Sequence, residues 1–108
     1  MKHLFAIGFE NNDIIGIYPN ANGDLVIVAK IYESVPLTFA KYEDAVKTLQ
    51  DIQEYDKDKV IIQYENVVDQ ILAEKDGSMY KVEDVSKLKI YVFTLSGTID
   101  NNRTFSPI

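Results

Sequence analysis

The chain has 108 residues with a formal net charge of −6; 46% of residues are hydrophobic and 26% charged. That length fits one domain that buries enough surface to fold without a metal or disulfide staple, and the composition lies in the globular range. The absence of cysteine removes disulfides, thiol chemistry and cysteine-ligated zinc, and a negative field with a single arginine, Arg103, argues against direct binding of nucleic-acid phosphates.

The first forty residues read as a three-strand meander. His3–Glu10 alternates Leu4, Ala6 and Gly8 with Phe5, Ile7 and Phe9. Asn11-Asn12 is a turn, and Ile14–Tyr18 a second short strand. Asn22-Gly23 gives a strong hairpin signal before a third strand, Asp24–Ser34. That strand is apolar on both faces, as a central strand would be. One lysine and six apolar residues before Glu10 do not make a secretory leader, and no apolar run is long enough to span a bilayer. The expectation is therefore a cytoplasmic protein without membrane contact.

After Pro36 the period changes. Tyr42, Ala45, Val46, Leu49 and Ile52 recur at helical spacing, which predicts an amphipathic helix over 41–54. Residues 59–75 satisfy a helical period as well: Val60, Ile61, Tyr64, Val67, Val68, Ile71 and Leu72 fall within one arc. A second helix, capped by Asp58 and closed by Gly77, is the expectation. The competing reading is a strand over 59–64 followed by a short helix capped by Asn66. Met79–Val82 and Lys87–Leu95 read as strands, and 96–108 as a polar tail, mobile or loosely docked. The expected fold is thus a single α+β domain over 1–95. Its antiparallel sheet has four to five strands, covered on one face by a two-helix hairpin. Ile27, Val46, Leu49, Val68, Ile71 and Ile90 are its expected core.

Chemistry is sparse. The single histidine, His3, has no matching nucleophile, and no serine sits in a nucleophile elbow. The five glycines stand singly, so no phosphate-cradling loop is formed. Asp56-Lys57-Asp58 lacks the glycine and glutamate that complete a calcium loop. No enzyme, cofactor or metal is expected.

What remains is charge. Residues 41–76 hold ten acids and five lysines, so the middle third carries nearly all the imbalance. Glu43, Asp44, Asp51 and Glu54 line the outer side of the first helix, and Asp56 and Asp58 continue the stripe. Most such faces are simply solvated. Where one is functional, it docks a protein partner with a basic surface. The leading expectation is a small non-enzymatic protein-interaction module, and the excess of lysine over arginine suits a low-GC bacterium or one of its phages. Two alternatives stand beside it. One is an acidic inhibitor that mimics DNA and blocks a nucleic-acid-binding host enzyme, of anti-CRISPR or anti-restriction type. The other is a self-associating structural protein, a homodimer that uses an unpaired strand edge or an aromatic surface of Tyr18, Tyr32, Tyr91 and Phe93.

Overall fold

The computed structural model describes residues 3–10, 13–29, 36–95 and 103–107. Strand β1 (His3–Phe9) is the spine of the first sheet. One of its edges pairs antiparallel with β7 (Lys89–Leu95), from His3 opposite Thr94 to Gly8 opposite Lys89. Its other edge is divided between two short antiparallel strands. β2 (Asp13–Ile14) takes the Phe9 end and β5 (Thr38–Phe39) the Phe5 end. Strand β8 (Arg103–Pro107) extends the sheet beyond β7. Part of the segment expected as a loosely docked tail is therefore a paired strand; the rest of 96–108 lies outside the described residues.

The expected second strand is split between two sheets. Ile15, fully buried, sits at the crossing and donates its N–H to the Ile7 carbonyl at 2.9 Å. From Gly16 the chain enters a second sheet as β3 (Gly16–Pro19), turns through Asn20–Asp24 and returns as β4 (Leu25–Ala29). The Asn20 side chain closes this hairpin, accepting from the N–H groups of Asn22 and Asp24, each at 3.0 Å. Residues 30–34 of the expected third strand lie outside the described residues. As its two apolar faces predicted, β4 is central, but its second neighbour is not β1. It pairs in parallel with β6 (Val60–Tyr64), with Leu25 opposite Val60 and Ala29 opposite Tyr64. The order is β2-β1-β7-β8 in one sheet and β3-β4-β6 in the other.

The crossover from β4 to β6 runs through β5 and helix α1 (Tyr42–Glu54), which closely matches the expected helix. A 3-10 turn at Lys57–Lys59 follows, capped by the Asp56 carboxylate on the Asp58 N–H at 3.0 Å. Residues 59–75 do not form one helix: the chain is β6 and then α2 (Val67–Asp76), capped by Asn66 and not Asp58. The long apolar arc arose from joining two periods. Val60, Ile62 and Tyr64 turn inward at period two, and helical spacing begins only at Val67. The β-branched run finds a partner edge on β4, whereas helix nucleation waits for a side chain able to satisfy the first amides. The helices are consequently not a hairpin, since a strand separates them. Met79–Val82 is not a strand either; the chain leaves α2 through irregular backbone into a second 3-10 turn, Val82–Lys87.

The protein is α+β, an antiparallel sheet plus a smaller mixed one, with the core where both meet α1 and the Val82–Lys87 turn. Ile7, Phe9, Ile27, Ile52, Val85 and Leu88 belong to one buried cluster. Ile27 and Ile90 are buried as expected, while Val46 and Leu49 are half-buried. Val68 and Ile71, also expected in the core, are exposed. Tyr55 ties the end of α1 to the β3–β4 hairpin by donating its hydroxyl hydrogen to the Gly23 carbonyl.

Candidate functional site

Helix α2 has well-formed ends. The Asn66 side chain accepts from the Asp69 N–H at 2.8 Å, satisfying one of the open amides of the first turn. At the other end Gly77 adopts the left-handed conformation (φ 74°), and Ser78 donates its N–H to the Ala73 carbonyl at 3.0 Å. A residue with a Cβ is disfavoured at that backbone geometry, so the predicted Gly77 stop has a steric reason.

Its packing is the reverse of what its pattern suggests. Ala73, fully buried, is the contact with the body of the protein, with Asp69 half-buried beside it. On the opposite side of the helix, Val67, Val68, Ile71 and Leu72 are 72%, 64%, 53% and 55% exposed. At 100° per residue these four lie together on one face. Fully burying such side chains is worth about 1.5–3 kcal/mol each, so a substantial apolar free energy is left open on one helix. Contiguous apolar surface of this kind is uncommon on a folded protein.

The acidic residues fall where the sequence placed them. Glu43, Asp44, Asp51 and Glu54 are all exposed, and lie within about a third of the circumference of α1. Asp56 and Asp58 are exposed in the 3-10 turn that follows; there Asp56 also has the structural task of capping. Lys47 stands in the middle of the α1 stripe, exposed and without an ion pair among the described residues. An ion pair that does form, Lys89 to Glu10 at 3.7 Å, involves none of the six. Helix α2 repeats the bias, with Asp69, Glu74 and Asp76 against Lys75.

A tyrosine cluster lies at the junction of the sheets. The Tyr80 ring stacks on Phe9 with centroids 4.1 Å apart, and Tyr64 lies 6.5 Å from it on a near-parallel plane. Tyr80 donates its hydroxyl hydrogen to the Asp13 carboxylate, and its N–H to the Tyr64 hydroxyl at 2.8 Å. Burial, reinforced by Asp13, pushes the Tyr80 hydroxyl well above the usual tyrosine range. It remains protonated and acts as a clasp between β2 and the segment after α2. A cavity of ≈ 190 Å³ adjoins it, lined by Phe9, Glu10, Tyr80, Asp84 and Lys87. Its carboxylates are engaged structurally: Glu10 pairs with Lys89, and Asp84 accepts from the Lys81 N–H at 2.9 Å.

Among the described residues no cluster of His, Asp and Glu could hold a metal ion, and no helix is long and apolar enough to cross a membrane. No family model, curated protein or solved structure matches the chain.

The sequence pointed to the acidic stripe but missed the α2 surface. The amphipathic arc over Val67–Leu72 was legible; the side by which the helix docks was not. The Tyr80 clasp joins residues 67 positions apart in the chain and leaves no local signal.

Proposed function

We propose that this chain is a non-enzymatic protein-interaction module whose partner presents an apolar surface bordered by lysine and arginine. The observation that carries this reading is α2, held by Ala73 and turning Val67, Val68, Ile71 and Leu72 to solvent. Charge selects the partner. Acids outnumber bases on α2, the six acids of α1 and its following turn are exposed, and the chain as a whole carries −6. Such a field steers basic partners and repels acidic ones, while burial of the aliphatic face supplies affinity. The acidic-inhibitor reading uses the same charge but leaves the α2 face without a role, so the module reading is preferred.

The two contributions separate experimentally. Proteins captured on the immobilised chain should be lost when Val68→Glu and Ile71→Glu are combined. For a captured partner, Asp51→Lys with Glu54→Lys should slow association by about an order of magnitude, and added salt should do the same. Capture of the same proteins in the same amounts by the Val68→Glu/Ile71→Glu variant would refute the proposal.

A further inference from the structure

Asn22-Gly23 forms the tip of the β3–β4 hairpin, and its surroundings bear on its covalent chemistry. The side-chain amide carbon of an asparagine lies one ring closure away from the main-chain nitrogen of the next residue, and bulk on that residue hinders the approach. Asn22 is exposed, its successor carries no side chain, and nothing lies within 4 Å of where a Gly23 Cβ would stand. Asp76-Gly77 has the same connectivity but sits in a helix end. There the Gly77 N–H is bonded to the Ala73 carbonyl, and the Asp76 carboxylate accepts from the Ser78 N–H at 2.9 Å.

The closed hairpin restrains the Asn22 reaction. Gly23 donates its N–H to the Asn20 carbonyl at 3.1 Å, and the Asn20 side chain accepts from the Asn22 N–H at 3.0 Å. On the far side of Gly23, Tyr55 at the end of α1 donates its hydroxyl hydrogen to the Gly23 carbonyl. The attacking nitrogen, the residue under attack and the carbonyl beyond them are thus held by three separate bonds. Ring closure needs the Asn22–Gly23 peptide to turn relative to the Asn22 side chain, so the reactive geometry belongs to the opened hairpin.

We propose that Asn22 is a site of spontaneous deamidation, gated by the tie between Tyr55 and the hairpin. The Gly23 nitrogen loses its proton to water and bonds to the Asn22 Cγ; the Cγ–Nδ2 bond breaks and the side-chain nitrogen leaves as ammonia. Water then opens the succinimide at either of its carbonyls, giving aspartate or isoaspartate. The net change is water consumed and ammonia released, with no change of oxidation state. Either product adds a negative charge beside Asp24. Isoaspartate also lengthens the main chain inside the turn, which upsets the spacing that lets the Asn20 side chain bond both Asn22 and Asp24. None of these residues belongs to the α2 face, so failure of either proposal leaves the other intact.

The test is to incubate the full chain at neutral pH and physiological temperature, digest samples taken over weeks, and quantify each asparagine by fragmentation mass spectrometry. Deamidated product should accumulate at Asn22 ahead of Asn20 and Asn66. Tyr55→Phe removes one hydrogen bond and should speed the Asn22 reaction about fivefold, because the rate follows the population of the open hairpin. The wild-type chain unfolded in urea should react faster than the folded one. Circular dichroism checks that Tyr55→Phe is folded; if it is not, Asn20→Ala, which removes side-chain bonds from the turn without touching α1, should give the same acceleration. Intact Asn22 where Asn20 or Asn66 has reacted, equal rates for the folded and the urea-unfolded chain, or a folded-state rate indifferent to the variant used would overturn the proposal.

Discussion

The orientation of α2 is open to a direct thermodynamic test that pairs a residue on its outward face with one in the core. Val68 is 64% exposed and Ile52 on α1 is 3% exposed, so the same truncation to alanine removes very different amounts of buried surface. Full burial of a valine side chain is worth about 1.5–3 kcal/mol, and only a third of Val68 is buried; truncation therefore forfeits about 0.5–1 kcal/mol. Alanine returns about 0.5 kcal/mol through its higher helix propensity. The net change for Val68→Ala should lie within about 0.5 kcal/mol of zero. Ile52→Ala leaves a cavity in the main cluster and should cost about 2–5 kcal/mol. Urea unfolding followed by circular dichroism at low micromolar concentration reads both, provided the slope with denaturant is unchanged. A loss above about 1.5 kcal/mol for Val68→Ala would mean that this face is packed, and the outward reading of α2 would be wrong.

Two further outcomes follow from the junction around Asp13. Because the Tyr80 hydroxyl titrates higher in the folded protein than in the unfolded chain, its stabilisation is complete below the ordinary tyrosine range near pH 10 and is lost as pH rises beyond it. Alkaline unfolding should thus begin near pH 10, and Tyr80→Phe should flatten that limb while costing about 1–2 kcal/mol at neutral pH; an unchanged alkaline limb would remove the clasp from the account. Gly8 is required by close approach: a Cβ there would lie 2.8 Å from the Asp13 carbonyl oxygen, on backbone that cannot rotate away. Gly8→Ala should cost about 1–3 kcal/mol by forcing β2 off β1, and a wild-type urea midpoint would contradict the tight β1–β2 contact.

Local periodicity carried a good part of this fold. Helix α1, the turn at Asn20–Asp24, the central place of β4 and the stop at Gly77 are set by residues within a few positions of one another, where sequence pattern and backbone sterics coincide. The acidic stripe was legible for the same reason, since helical spacing alone puts Glu43, Asp51 and Glu54 on one side of α1. Tertiary structure decided what local pattern leaves degenerate. Val60–Tyr64 suits a strand or a helix by period, and the parallel edge of β4 made it a strand. The chain crosses between sheets at Ile15, which nothing short of the Ile7 pairing specifies. The amphipathic arc of Val67–Leu72 was visible too, but an arc has no address. That Ala73 faces the protein and four aliphatic side chains face solvent is visible only in the folded chain, where α2 is tethered by the short link from β6 before it and the Tyr64–Tyr80 hydrogen bond after it.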